Sequence, residues 1–308
     1  MIARPRRTVT GAASPLSLRL WPLAIIAGAV FCSGVIFPAI DSSLMATAAA
    51  VAILLIGIPH GTLDIEIAVM RLSRSDARTR SVVLATYLAC AGTMAICWLV
   101  APALALALFL AVSIVHFGRD WRGGAPPLLA TMVGAATIGL PALAHPAEVA
   151  AIFNLLAGDR GGSMLTALLA AAAIPSAVGA VVYVWMAWSA GYIRRAVEAA
   201  ITIAAAILLP PPVGFAVFFC LLHAPRHMAD ALRETAALSS SKQAAIIAAV
   251  SALSLAGGVL LFLAHPDGAT EPGVVRTAFM LIAILTMPHF ALEQLNAEWL
   301  RNRLGDKR

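Results

Sequence analysis

Apolar residues in this chain neither alternate with polar ones nor return every third or fourth position. They fill runs long enough to cross about 30 Å of hydrocarbon as helices rising about 1.5 Å per residue. Ten such runs are read at 20–40, 44–70, 81–100, 102–117, 125–144, 164–190, 194–210, 213–235, 242–264 and 274–292, parted by short breaks of Pro, Gly or charge. The pattern predicts an all-α, polytopic integral membrane protein: a bundle of about ten transmembrane helices forming one domain over 20–292, with basic tails at 1–19 and 293–308. A count of eight or nine fits if the short runs 102–117 and 194–210 do not cross. The opening MIARPRR resembles the basic start of a secretory signal, but the run from Leu20 to Ile40 is longer than a signal core and leads straight into another apolar run. It is read as the first membrane helix.

Composition agrees with the pattern. Of 308 residues, 61% are hydrophobic and 12% charged, and the mean hydropathy is +0.91, more apolar side chain than one soluble core absorbs. The net charge of +6 does not point to nucleic acid, because the basic residues sit at the ends of apolar runs and form no basic groove. Arg4, Arg6 and Arg7, the stretch from Arg71 to Arg80, Arg119 and Arg122, Arg194 and Arg195, Arg226 and Arg233, and the stretch from Arg301 to Arg308 all fall on one side of the predicted topology. The opposite loops, Ala101 to Pro102, His145 to Gly162, Pro210 to Pro212 and His265 to Gly273, hold Arg160 alone. The positive-inside rule makes the crowded side cytoplasmic, with both termini there and the chain in the cell (inner) membrane. Cys32, Cys90, Cys97 and Cys220 lie inside apolar runs without a CxxC pair and read as small packing residues.

The same topology sorts the seven histidines. His60, His116, His223, His227 and His289 fall in the cytoplasmic halves of four runs, whereas His145 and His265 precede prolines on the other side and read as loop residues. An imidazole inside the bilayer is costly without a partner, and a metal ion satisfies several at once. His223 and His227 are four residues apart, on one face of a helix, with Pro225 between them to bend the turn. Acids follow at helical spacing: Asp64 after His60, Asp120 after His116, Asp230 after His227 and Glu293 after His289. Each is placed to orient its histidine through the second ring nitrogen, although acids also gather where helices leave the bilayer, and a partner on another helix is an equal alternative. Phe117, Trp121, Phe215, Phe218, Phe219 and Phe290 flank the cluster, either as lipid-facing packing or as lining of an apolar tunnel. Neutral imidazoles without a thiolate suit iron, copper or zinc rather than magnesium or calcium.

Four segments, GIPHGTLDIEIA at 57–68, SIVHFGRD at 113–120, LLHAPRHMAD at 221–230 and MPHFALEQ at 287–294, together resemble the Brp/Blh family, membrane-bound beta-carotene 15,15'-dioxygenases that supply retinal to microbial rhodopsins. The resemblance runs from the second helix to the last; the middle segment is one residue tighter than the family pattern, and Leu222 and Ala224 stand where many members carry Trp and Ser. It implies Fe(2+) held by His60, His116, His223 and His227, with His289 as a fifth or alternative ligand, and Asp64 and Asp120 around them; Asp230 and Glu293 join that set by their spacing alone. It also implies O2 as co-substrate, a lipid-soluble carotenoid reached through the bilayer past Phe117, Trp121, Phe219 and Phe290, central cleavage to two all-trans-retinal, and a microbial rhodopsin as recipient. Rival readings are a histidine-box desaturase or hydroxylase acting on another carotenoid or lipid, a haem protein, a membrane carrier, and a non-cleaving accessory. The chain has one HxxxH and no HH, fewer histidines than diiron boxes need, and no repeat of the kind that carriers show.

Overall fold

The computed structural model describes residues 42–72, 76–123, 125–264 and 271–294. The first predicted span, the N-terminal tail, the C-terminal tail beyond 294, Cys32 and His265 lie outside them. All elements among the described residues are helical: α1 (Ser42–Ala52), α2 (Asp64–Arg71), α3 (Ala77–Val100), α4 (Pro102–Gly118), α5 (Pro127–Ala144), α6 (Pro146–Ala157), α7 (Asp159–Ser189), α8 (Ile193–Leu208), α9 (Pro211–Phe218), α10 (Ala224–Glu234), α11 (Ser240–Ala264) and α12 (Glu271–Gln294). Among the described residues, seven stretches are long and apolar enough to cross a membrane: Leu44–Arg71, Ala77–Val100, Pro102–Trp121, Pro127–Ala144, Asp159–Ser189, Ser240–Ala264 and Pro272–Gln294.

Proline sets several of the boundaries. Pro102, Pro127, Pro146 and Pro211 each open a helix, where a missing N–H is no loss and the fixed φ suits the first turn. The predicted run 194–210 is the sixteen-residue α8. The predicted loop from His145 to Gly162 is instead the short helix α6 followed by the start of α7. Its apolar residues Val149, Phe153 and Leu156 pack inward, and at twelve residues it is too short to register as a bilayer span.

Two predicted continuous spans are broken. Between α1 and α2 the chain passes through a π-turn, Ile53–Gly57, and a 3-10 turn, Ile58–Gly61; between α9 and α10 it passes through a second π-turn, Phe219–His223. Pro59 and Pro225 follow these wide turns by two residues. A proline cannot donate to the carbonyl four residues back, and its ring pushes that carbonyl away, so the turn widens.

The bundle packs through small residues. Glycines and buried alanines of α5 bring it close to α4 and α7; a Cβ on Gly134 would stand 2.6 Å from the Gly118 backbone nitrogen. Without a hydrophobic drive between helices in lipid, such close backbone approach is what holds them together. Large apolar residues face outward instead, among them Leu168, Val181 and Trp185 on α7 and Leu253, Leu260 and Leu263 on α11. Helix α11 is the least embedded, with 6% of its apolar window buried.

Candidate metal centre

The broken segments aim the histidines inward. His60 lies in the 3-10 turn after the first π-turn, His116 in the last turn of α4, His223 at the end of the second π-turn, His227 one turn into α10, and His289 beside Pro288 in α12. Ring centroids are 4.4 Å apart for His223 and His227, 4.8 Å for His116 and His223, 4.9 Å for His116 and His289, and 5.0 Å for His60 and His289. Five imidazoles from five segments of the chain therefore meet in one place. His145 does not join them: its Nε2 donates to the Ile207 carbonyl at 2.9 Å, and its Nδ1 lies 3.4 Å from Glu148.

Four of the rings are held from behind by an acceptor. The Nδ1–H of His60 donates to the Gly57 carbonyl. That of His116 donates to Glu293 at 3.1 Å, that of His223 to Asp120 at 2.7 Å, and that of His289 to Asp64 at 2.7 Å. With Nδ1 as donor, each Nε2 presents a lone pair. The Nε2 atoms of His116 and His223 stand 3.1 Å apart, and the buried Nε2 of His289 has no hydrogen-bond partner. Two lone pairs at that distance repel unless a cation lies between them. Two imidazole nitrogens at about 2.1 Å from one metal ion stand about 3.0 to 3.4 Å apart for angles between square and tetrahedral, so the residues present fit a metal ion. Three sets of donors, His60–His116–His289, His116–His223–His227 and His227–His289–Glu293, each lie within 4.8 Å of one another. The ring spacing leaves no gap for a porphyrin plane.

The acids are present but exchanged. Asp64 serves His289 rather than His60, Asp120 serves His223 rather than His116, and Glu293 bonds His116 while its other oxygen lies 3.7 Å from His289. For Asp64 and Asp120 the expected pairing fails because the intervening turns are not α-helical: Asp64 starts a new helix after the 3-10 turn, and Asp120 lies in the 3-10 turn Arg119–Trp121. Asp230 is exposed and pairs with Arg233. His227 has no close acceptor, with Asp120 and Glu293 each 3.5 Å from one of its nitrogens.

Sequence reasoning missed three supporting features. Arg119 donates to Glu293 at 3.0 Å, fixing the carboxylate that holds His116. Tyr183 donates to the Trp121 carbonyl at 2.8 Å and so pins the turn that carries Asp120. Gly61 leaves room for the Asp64–His289 bond: a Cβ there would stand 3.2 Å from Asp64 Oδ2. The two glycines flanking Pro59-His60 and the arginine between His116 and Asp120 were the signals in the sequence.

Of the flanking aromatics, Phe219 stacks on His223 with centroids 5.4 Å apart and meets His60 edge-on, while Phe117 packs against His223 at 4.8 Å. Phe290 lies 6.2 Å from His116 beneath the Arg119 guanidinium. Trp121 is fully buried against Tyr183 and Phe218, behind the histidines. Among the described residues, two cavities border the centre. One is polar, lined by Asp64, Arg71, His227, Asp230, Glu234 and Glu293 among others. The other is mostly apolar, lined by Phe219, Val250, Ile282 and Leu285 with Tyr87, Ser254 and Thr286. His60 and His289 border both.

A profile of the family described as beta-carotene 15,15'-dioxygenase matches residues 51–296, four-fifths of the chain and every segment that carries the centre. The chain belongs to that family. A protein of an uncultured marine bacterium, 66A03, described as "Beta-carotene 15,15'-dioxygenase", is 29% identical over 249 residues that cover 78% of this chain and 90% of that protein. A protein of Halobacterium salinarum described as "Probable beta-carotene 15,15'-dioxygenase Blh" is 27% identical, covering 95% of this chain and 94% of its own length. No solved structure matches the chain. Family membership makes the chain an enzyme of the carotenoid-cleaving dioxygenase type.

Proposed function

We propose that the chain cleaves the central double bond of beta-carotene with O2 to give two molecules of all-trans-retinal, at Fe(2+) held by His60, His116, His223 and His227, with His289 as a fifth ligand. The observation that carries the metal reading is the set of inward nitrogens: four rings fixed through Nδ1, two Nε2 atoms 3.1 Å apart and a third without a partner. Family membership supports the carotenoid. Iron(II), when bound, supplies the redox chemistry that lets O2 react with an alkene. The two aldehydes together contain the substrate plus one O2, so the overall reaction needs no other reductant.

The chain's own residues have a positioning task. One double bond in a uniform polyene is selected only by how far the molecule slides in, so the cavity must hold it in register beside the histidines. The apolar cavity between α3, α11 and α12 suits that role, with Phe219 against the polyene and Ile282 and Leu285 along it. Phe117 and Phe290 brace the ligand rings, and Trp121 holds the turn bearing Asp120. Asp64, Asp120 and Glu293 keep His289, His223 and His116 in the tautomer that presents Nε2. We place the chain in the inner membrane with the histidines toward the cytoplasm and both termini there. The seven long helices, the shorter α8, the broken α9–α10 segment and the span at 20–40 would make about ten crossings, in one domain over 20–292. Retinal leaving the bilayer side suits a microbial rhodopsin as recipient.

Expression in bacteria that accumulate beta-carotene tests this reading. The parent chain should bleach the cells with retinal appearing on chromatography. Unchanged carotene in cells holding well-expressed, metal-loaded protein would sink the substrate assignment.

A further inference from the structure

The polar cavity, whose charged lining does not suit a polyene, also reaches the histidine centre, where His60 and His289 border it. Four carboxylates, Asp64, Asp230, Glu234 and Glu293, and one guanidinium, Arg71, line it. Its inner wall carries His227, His289 and Glu293, one of the three donor sets able to hold a metal ion. His289 is itself buried, with its Nε2 lacking a hydrogen-bond partner. His227 and Glu293 are less enclosed than the inner pair, with side chains 20% and 21% exposed against 0% for His223 and 2% for His116. At the mouth, Arg71 donates to both oxygens of Glu234 at 2.9 Å and joins α2 to α10. That pair is exposed, with side chains 37% and 42% accessible, and exposed pairs open at little cost.

Resting on the reading that the histidines hold a metal, we infer that this cavity is the loading port for a divalent cation. The cation passes the Arg71–Glu234 latch, is held first by His227, His289 and Glu293, and moves inward as His116, His223 and His60 replace Glu293. The acidic lining concentrates a dication at the mouth, and the carboxylate of the first set exchanges more readily than imidazole, so the intermediate hold does not trap it. The apolar cavity, by contrast, offers a hydrated cation no charge to replace its water.

Opposite effects from the two partners of one ion pair separate a port from a merely structural latch. The full-length protein in lipid nanodiscs is stripped with a chelator, and cobalt(II) uptake is followed by its ligand-field absorbance in a stopped-flow instrument. Glu234→Gln leaves Arg71 unopposed at the mouth and should slow uptake at low salt; Arg71→Gln leaves Glu234 unopposed and should speed it. The expected change is about fourfold each way, the factor for a dication meeting one unit charge about 10 Å away in water, shrinking in 1 M salt. Final cobalt per chain and its spectrum should be the same in all three proteins. Equal rates, or both variants shifted in one direction, would overturn the port while leaving the metal centre standing. A parent chain that takes up no cobalt would overturn the metal reading beneath it.

Discussion

Four of the five inward histidines, all but His227, depend on a hydrogen bond made at the far side of the ring. Asp120 is the sharpest case, because its carboxylate holds His223 at 2.7 Å and lies 3.5 Å from His227. Asp120→Ala frees the His223 ring to rotate and to swap tautomers, and should weaken metal binding about 10- to 100-fold; competition with a colorimetric chelator reads the change, and Asp120→Glu should recover part of it. Gly61→Ala should act in the same direction by wedging a methyl group 3.2 Å from Asp64 Oδ2 and 3.4 Å from His289 Nδ1. The residues of the centre were legible in the sequence because histidine is scarce inside membrane helices. Their partners were not, since Asp64 and Asp120 follow a histidine by four residues but reach a different one. That spacing fixes a neighbour only while the backbone stays α-helical.

At the scale of elements, the two π-turns turn helical segments into histidine-bearing walls. Prolines are visible in sequence, and those that open helices marked the starts of α4, α5 and α9 closely. Inside a span, Pro225 predicted a bend but not a five-residue wide turn, because how the chain re-satisfies its freed carbonyls depends on neighbouring helices. Pro225→Ala lets the segment relax toward regular α-helix, which rotates His223 relative to His227. The expected result is lower metal occupancy with unchanged helical circular dichroism; full occupancy would show that the wide turn does not set the ligand geometry. Helix α6 went unread for a different reason: twelve residues bracketed by His145-Pro146 and Gly158 carry too little apolar length to stand out among full bilayer spans. The loosely embedded α11 forms one wall of the apolar cavity. Leu285→Trp should fill that cavity without touching a histidine, leaving metal content as in the parent and cutting carotenoid cleavage at least about tenfold, with the loss smaller for a slimmer, acyclic polyene. Equal losses of metal and activity would place Leu285 in the folding of the centre instead.

At the largest scale, the described helices turn large apolar residues outward around a polar knot. Ion pairs tie the helices there: Arg80 with Glu66, Arg119 with Glu293, Arg71 with Glu234, and Arg226 with Glu198. Arginines clustered at the ends of apolar runs were readable from the sequence, and in the structure several of them clasp the elements around the histidines. The knot borders a charged cavity and an apolar one, which suits the proposals of a cation arriving from water and a polyene arriving from lipid. The central claim is that these five histidines make one metal centre on which carotenoid cleavage depends. Metal per chain in the purified full-length protein, measured by mass spectrometry for the parent and for His223→Ala, tests it most directly. The account predicts about one iron per parent chain, from the single convergent donor set, and a clear loss of it in His223→Ala. A metal-free parent that still converts beta-carotene to retinal, or a His223→Ala protein that keeps its full iron, would contradict it.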